Sequence, residues 1–200
     1  QQMKQYMTCF DGMMVKNPEQ IAYLEQIGYD GTWAADYNVY AYNKEAKVFL
    51  RNLGCSFFVC PAELTFKELK ERDCDGDEML VYGRIPVMTS TQCLKKSAGH
   101  CQKTPELFKV RDRKGKEFPV KNCCSYCYNV IYNSVPVSLH GWSEEVRKCN
   151  PASVRLAFTT ESNKEAAAVA KRFVKEYLWG EELGEPGYEF TRGHYKRGVE

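Results

Sequence analysis

The sequence has no apolar run long enough to cross a membrane and only three histidines, His100, His140 and His194. A membrane-spanning helix needs about 20 consecutive, mainly apolar residues. The first ten residues also lack the basic, apolar and small-residue order of a secretion signal. We therefore expect a cytoplasmic protein with no membrane partner.

Several catalytic motifs are also missing. No histidine belongs to an H-E-x-x-H array, and no G-x-S-x-G elbow, Walker loop or dinucleotide fingerprint is present. Positive and negative charges nearly balance, 28 against 26, so no global field indicates a nucleic-acid partner. Basic residues concentrate only in 109–116 and 191–198, where a solvated turn and a solvated tail are the simplest interpretations.

Short apolar runs alternate with helical patterns along much of the chain. Strands are predicted at 5–10, 32–37, 55–60, 78–83 and 153–159. Helices are predicted from Pro18, capped by Asn17, over 38–53, after a capping box of Thr65 and Glu68, and after Ser162. Parallel strands need such crossovers, so the alternation predicts an α/β fold with about half of the units of a (β/α)8 TIM-type barrel.

We expect one structural domain in three stretches. Residues 1–83 are predicted to form βα units of the partial barrel, 84–142 a Cys-rich insertion, and 143–200 the last βα unit and a tail. The insertion contains a hairpin that turns near 113–115. Because the sequence starts without an initiator Met, we expect it to be a fragment of a longer protein. Half a barrel has open sheet edges, so we also expect copies to pair as a homodimer.

Four of the ten cysteines have the spacing of a shared metal centre. Seven residues separate Cys93 from Cys101, twenty-two separate Cys101 from Cys124, and two separate Cys124 from Cys127. Closing the longest gap costs about 2.7 kcal/mol, whereas structural zinc binding is worth roughly 10 to 16 kcal/mol. Zinc and an iron-sulfur cluster both accept four thiolates, and the spacing does not choose between them.

Two neighbouring residues are alternative ligands of the same centre. They are Cys123, in place of Cys124, and His100, which is adjacent to Cys101. The remaining cysteines are interpreted as buried apolar thiols, which is the usual fate of a free cysteine: Cys9, Cys55, Cys60, Cys74 and Cys149.

Three charged residues follow predicted strands, where barrels display functional groups. Asp36 and Glu63 are candidates for the site, although Asp36 equally fits a helix cap. The guanidinium of Arg84 can bind a carboxylate or phosphate through two parallel hydrogen bonds. The alternative interpretation is that Arg84 forms a surface ion pair.

Five motifs together resemble the peptidase family U-32, the collagenase-like peptidases. They are "ADYNVYAYNKEA", "YGRIPVMTSTQC", "DRKGKEFPV", "CSYCYNVIYNS" and "FTTES". They run in order through nearly the whole chain, and the ending "EFTRGHYKRGVE" is similar to that of long clostridial-type members. The chain resembles the C-terminal part of such a protein. The resemblance implies that it is the C-terminal half of a (β/α)8 TIM-type barrel, and that the missing N-terminal half supplies the remaining strands.

The resemblance implies a 4Fe-4S cluster held by Cys93, Cys101, Cys124 and Cys127. Some better-understood members hydroxylate RNA bases in a reaction that needs no oxygen and takes prephenate as the co-substrate. Other members hydroxylate a quinone ring. The spacing here departs from that subgroup, whose last ligand lies further downstream. Arg84, Asp36 and Arg192 are the candidate substrate-binding residues, and no catalytic residue is assigned.

Three functions follow as hypotheses for the full-length protein. The first is an iron-sulfur enzyme that hydroxylates RNA, whose fragment is inactive alone. The second is the peptidase of the family name, acting on a peptide substrate, although no nucleophile and base pair stands out. The third is a zinc-stapled binding domain.

Overall fold

A computed structural model describes residues 9–198 of the chain. Its strands are β1 (Gly12–Val15), β2 (Thr32–Ala35), β3 (Cys55–Phe58), β4 (Glu78–Gly83), β5 (Pro86–Ser90), β6 (Leu107–Arg111), β7 (Glu117–Cys123), β8 (Tyr128–Tyr132), β9 (Val137–Ser138) and β10 (Ser153–Ala157). Its α-helices are α1 (Pro18–Gln26), α2 (Lys44–Asn52), α3 (Phe66–Arg72), α4 (Leu94–Ser97), α5 (Ser143–Arg147) and α6 (Asn163–Phe173). A 3₁₀ turn covers Tyr37–Val39, and a π-helical turn, Val174–Leu178, continues α6.

The helix starts follow local capping chemistry, as the sequence predicts. The Asn17 side chain accepts a hydrogen bond from the Gln20 backbone N–H at 2.9 Å and caps α1, whose first residue is Pro18. Thr65 and Glu68 form a reciprocal capping box at the start of α3. Ser162 starts α6 in the same way.

Two predicted elements differ from the structure where they are described. Residues 5–8 of the strand predicted at 5–10 lie outside the described residues, Cys9 and Phe10 form a turn and a bend, and the first described strand is β1. The helix predicted over 38–53 starts only at Lys44, capped by Asn43. Tyr40 has a φ of 59°, and this left-handed conformation separates the 3₁₀ turn from α2.

The strands form three sheets within the described residues. β1, β2 and β3 are parallel neighbours. The second sheet has the order β10-β4-β9, in which β4 and β9 are antiparallel. The third sheet has the order β5-β8-β7-β6 and is antiparallel throughout.

The predicted TIM-type half-barrel is therefore wrong, because the fold is mixed α/β with parallel and antiparallel pairs. Only the bridge from Val59 to Glu78 pairs the end of β3 with β4, and no ladder continues the parallel sheet there. Beyond β4, the strands β6, β7 and β8 are joined by short turns. Such turns allow antiparallel pairing only, because a parallel pair needs a long crossover.

The chain divides into two compact units, with boundaries inside β4 and β10. The described part of the first unit is residues 9–81, 142–155 and 192–198, and the second is 82–141 and 156–191. The first unit has a core between its parallel sheet and helices, built from Val15, Leu24, Trp33, Ala35, Ala41, Leu50, Cys55 and Phe58. Burying a side chain such as Phe58 contributes about 1.5–3 kcal/mol.

The second unit contains the antiparallel sheet and the predicted hairpin. β6 pairs with β7 from Leu107↔Lys121 to Arg111↔Glu117, which confirms that the chain reverses near 113–115. The Asp112 side chain accepts hydrogen bonds from the backbone N–H groups of Lys114 and Lys116, both at 2.8 Å. This hairpin brings the two ends of the Cys-rich stretch into one unit. Within residues 9–198, no helix combines the length and apolar character needed to cross a membrane.

Candidate functional site

Cys124 and Cys127 lie in the tight turn that joins β7 to β8. The turn begins after Cys123, which is paired with Tyr128, and the Tyr126 backbone N–H donates to the Cys123 carbonyl at 3.1 Å. Cys127 has a φ of 54°, a left-handed conformation that few residues other than glycine adopt. Non-glycine residues in this region cluster at functional sites.

Cys93 and Cys101 flank the short helix α4. Cys93 is the buried residue just before the helix, and Cys101 is exposed beyond its end. Between them, the His100 backbone N–H donates to the Lys95 carbonyl at 2.9 Å. His100 is exposed.

Three of the predicted ligands lie close enough to the fourth, Cys124, to raise the pKa of its thiol. The pKa of the Cys124 thiol is raised by desolvation and then by the thiols of Cys101, Cys93, Cys127 and Cys123. Cys93 and Cys127 also line one cavity of about 540 Å³, with Thr91, Gln92, Lys96 and Ser97. The fold thus brings Cys93 and Cys101 close to the turn that contains Cys124 and Cys127, within the second unit.

Two neighbours hold the sulfurs of the turn. Asn122 is buried, and its side-chain N–H donates to the Cys124 sulfur at 3.4 Å. A side-chain hydrogen bond with Cys123 raises the pKa of Tyr128, so Cys123 is engaged with a different partner from Cys124. Sequence reasoning missed Asn122, although its place two residues before Cys124 is the signal.

These sulfurs do not form a ready coordination shell. Among residues 9–198, no group of three or more His, Cys, Asp or Glu side chains is arranged to hold a metal ion. The donor set near Cys124 consists of thiols, which suit zinc and iron-sulfur clusters. The chemistry of the donors therefore fits a thiolate-bound centre, although their positions among the described residues do not form its coordination shell.

The remaining cysteines largely follow the sequence interpretation. Cys55, Cys60, Cys74 and Cys149 are buried in the first unit, as predicted. Cys9 is exposed, so its predicted burial is wrong. Residues 9–11 form a turn and a bend rather than the interior of a strand, which explains the difference.

Asp36 lies in the first unit and is fully engaged there. Its carboxylate caps the 3₁₀ turn by accepting from the Tyr37 N–H at 3.0 Å, and Arg155 donates to the same oxygen at 2.9 Å. Lys16 approaches the other oxygen at 3.8 Å. Asp36 is thus a capping residue, but of the 3₁₀ turn and not of the predicted helix, which is capped by Asn43.

Two other charged candidates, Glu63 and Arg192, each contact an aromatic residue of the first unit. Glu63 is exposed and accepts a hydrogen bond from the Tyr42 hydroxyl. The Arg192 guanidinium lies 4.8 Å from the centre of the Trp142 ring, in the geometry of a cation–π contact. Both pairs belong to the first unit, whereas Arg84 belongs to the second.

Arg84 lines a cavity of about 580 Å³ in the second unit. Its Nη1 donates to the carbonyls of Asn133 and Ser134, and its Nε lies 4.0 Å from Glu161. The cavity is also lined by Tyr82 and Arg172. Among the described residues, the buried Nε of Arg84 has no hydrogen-bond partner. Two backbone carbonyls thus hold the guanidinium through Nη1, while its Nε makes no hydrogen bond among the described residues.

Glu161 is a cavity residue that sequence reasoning missed. Its carboxylate accepts from the backbone N–H groups of Thr159 and Thr160, at 2.8 and 3.0 Å, and from the Tyr82 hydroxyl at 3.1 Å. Burial and the nearby Glu161 charge raise the pKa of Tyr82. The motif "FTTES" contains Glu161 and was the available signal.

A second missed arrangement joins a serine, a histidine and a glutamate. The Ser138 Oγ lies 3.0 Å from His140 Nδ1, and His140 Nε2 lies 3.1 Å from Glu185. Ser138 is completely buried, and the Tyr188 hydroxyl lies 3.3 Å from its oxygen. A nucleophile must reach its substrate, so burial makes this chain of contacts a structural network.

Comparisons of the chain with protein-family models, with curated proteins and with solved structures found no match.

Proposed function

We propose that this chain is part of an iron-sulfur enzyme similar to the peptidase family U-32. In this proposal the complete protein hydroxylates RNA bases in the cytoplasm. A reducing compartment keeps cysteines available as ligands, which suits a chain with ten thiols.

One observation carries the proposal. Thiols that are far apart in the sequence converge: Cys93 and Cys101 raise the pKa of Cys124, and Cys93 shares a cavity with Cys127. A shared inorganic centre requires this convergence, whereas unrelated buried cysteines do not. The observation supports a common centre without choosing its metal.

The residues that would hold a cluster are Cys93, Cys101, Cys124 and Cys127. When bound, an iron-sulfur cluster supplies one-electron and radical chemistry to a reaction. Asn122 would keep the Cys124 sulfur in place, since its amide already donates to that atom. Hydrogen bonds to the sulfurs also tune the reduction potential of such clusters.

An RNA substrate suits the surface of the same unit. The hairpin tip carries the exposed cations Arg111, Arg113, Lys114 and Lys116, which can contact phosphates. Tyr126, in the cysteine turn, has 82% of its surface exposed. Exposed aromatic rings of this kind stack on unpaired bases.

A carboxylate co-substrate such as prephenate is assigned to the cavity of Arg84. The guanidinium is fixed by two backbone carbonyls, so little side-chain entropy would be lost when it binds an anion. Arg172 is the second cation of the cavity, so an anionic co-substrate would depend on the two guanidinium groups. The lining also carries three carboxylates, those of Glu161, Glu165 and Glu189. Substrate contacts of Asp36 and Arg192 stay predictions.

Metal analysis of protein prepared without oxygen tests the proposal. We expect iron and sulfide in equal amounts, and a large loss of both in Cys101→Ser and Cys127→Ser. Cys149→Ser is the matched control, since Cys149 is a thiol of the other unit and should leave the iron content unchanged. Colourless protein that fails reconstitution would contradict the proposal.

The same preparations separate the alternatives. One zinc per chain without iron would favour the zinc-stapled domain. Cleavage of gelatin by the full-length protein, lost on adding a chelator, would favour a metal-dependent peptidase. The buried Ser138 predicts that Ser138→Ala leaves any such cleavage intact.

A further inference from the structure

Two buried thiols of the first unit are in direct contact. The Cys60 sulfur donates a hydrogen bond to the Cys74 sulfur at 3.4 Å, and both residues are almost completely shielded from solvent. Cys60 follows β3, where its backbone N–H donates to the Glu78 carbonyl at 2.8 Å. Cys74 follows α3, and its sulfur lies 3.1 Å from the Leu69 carbonyl. Secondary structure on both sides therefore holds the two sulfurs together.

The surroundings of the pair favour negative charge on one sulfur. Arg72 Nη1 lies 3.9 Å from the Cys74 sulfur and 2.6 Å from Asp77. The hydrogen bond from Cys60 lowers the pKa of Cys74, and the Arg72 charge adds to this. The same bond raises the pKa of Cys60. These contacts favour Cys74 over Cys60 as the attacking sulfur, because the thiolate is the reactive form of cysteine.

Cys74 lies in a short turn whose flanking residues are exposed. Its neighbours Asp73 and Asp75 are exposed, and so is Gly76. Asp73 has a φ of 70° in this turn, a conformation that is unfavourable for a residue with a side chain. Local opening of a turn needs far less free energy than global unfolding, so a small oxidant can reach the sulfur.

We propose that Cys60 and Cys74 form an oxidisable dithiol that a peroxide converts into a disulfide. The Cys74 thiolate attacks one peroxide oxygen, the O–O bond breaks, and Cys74 becomes a sulfenic acid. The Cys60 thiol then attacks the Cys74 sulfur and displaces the hydroxyl group, which leaves as water. In total, two thiols and one hydrogen peroxide give one disulfide and two waters. The reaction requires no iron and is independent of the proposed function.

Cys149 is the third thiol near this pair, but it is not the expected partner. Burial, followed by the nearby Cys74, raises its pKa to about 11, so it stays protonated. Its backbone N–H is bonded to the Val146 carbonyl at 3.0 Å. Cys60 already touches Cys74, and therefore we expect the linkage to form between these two residues alone.

Peptide mapping after mild oxidation tests the proposal. The full chain is treated with hydrogen peroxide, alkylated under denaturing conditions and digested with trypsin without reduction. We expect peptide 52–67 linked to peptide 73–84, and we expect dithiothreitol to release them. Fragmentation of the linked pair distinguishes Cys60 from Cys55, which lies on the same peptide, so the wild-type chain suffices.

Variants and stability provide the controls. We expect the link to disappear in Cys60→Ala and to persist in Cys55→Ala and Cys149→Ala. Oxidation should raise the urea midpoint of the wild-type chain and leave that of Cys74→Ala unchanged, because a disulfide constrains the unfolded chain. Two results would overturn the proposal: wild-type peptides that stay unlinked while the exposed Cys101 and Cys127 are oxidised, or a link that maps to Cys55 or Cys149.

Discussion

Asn122 connects the Cys124 sulfur to two backbone groups of a different segment. Its Nδ2 donates to that sulfur at 3.4 Å and to the Thr104 carbonyl at 3.2 Å, and its Oδ1 accepts from the Glu106 backbone N–H. One buried amide thus ties the cysteine turn to the chain that precedes β6.

We expect Asn122→Ala to lower both the stability and the iron content of the chain. The substitution leaves the polar groups of Thr104 and Glu106 without this partner, which costs about 1–3 kcal/mol for each group that stays buried. Loss of a supporting hydrogen bond typically lowers metal affinity about 10–100-fold. Urea unfolding and iron analysis measure the two effects. The exposed Lys121→Ala is the control, and equal iron in both variants would contradict the prediction.

Asp77→Ala should strongly destabilise the first unit. The carboxylate is buried between two buried cations, with Lys47 Nζ at 2.9 Å and Arg72 Nη1 at 2.6 Å. Removing it leaves both cations unpaired, so we expect a loss of about 3–5 kcal/mol in the free energy of unfolding. Asp75→Ala, in the same turn but exposed, should cost less than about 1 kcal/mol. Similar urea midpoints for the two variants would be inconsistent with this account.

The contribution of Glu117 to the stability of the hairpin should decrease at acid pH. Hydrogen bonds from Lys109 and then Arg111 lower the pKa of its carboxyl from 4.5 to about 2. A lowered folded-state pKa stabilises the fold above the unfolded value, so this contribution is present above pH 4.5 and is lost as pH falls toward 2.

A carboxyl titration followed by NMR measures this pKa directly. Lys109→Ala should raise it, whereas Lys114→Ala should change it little, since Lys114 makes no ion pair with Glu117 among the described contacts. High salt should also move it toward 4.5, because exposed charges are screened. A wild-type value near 4.5 at low salt would refute the ion-pair explanation.

Removing the hairpin-tip cations should weaken RNA binding. The double variant Arg113→Ala and Lys114→Ala removes two exposed positive charges, so fewer counterions are released on binding. We expect lower affinity for single-stranded RNA and a shallower dependence on salt, measured by fluorescence anisotropy. The matched control, Lys164→Ala with Lys171→Ala, removes two exposed charges from α6 of the same unit. Equal losses in both double variants would argue against a phosphate contact at the hairpin.

Local structure was determined by the sequence itself. Asn17 before Pro18, the capping box of Thr65 and Glu68, and the turn after Arg111 all form where the sequence predicts. Each depends on hydrogen bonds between residues a few positions apart, so neighbouring side chains are sufficient to specify it. The four thiols proposed as ligands were selected by their spacing in the sequence, and that selection stays a prediction.

Strand pairing was decided only by the tertiary structure. The alternation of strands and helices fits a barrel, yet Gly83 pairs with Val137 in an antiparallel ladder. Fifty-four positions separate these two residues, and no periodicity within a strand indicates which distant strand will be its neighbour. Strand order depends on packing and on loop closure over the whole chain, which a local pattern does not record.

The same distinction holds for the sites. The sequence indicates which cysteines are candidates for ligands, but not that Asn122 holds one of them or that Cys60 touches Cys74. It places Arg84 after a strand, but not beside Glu161. Contacts of this kind join segments that are distant in the chain, and they exist only because burying apolar side chains brings those segments together.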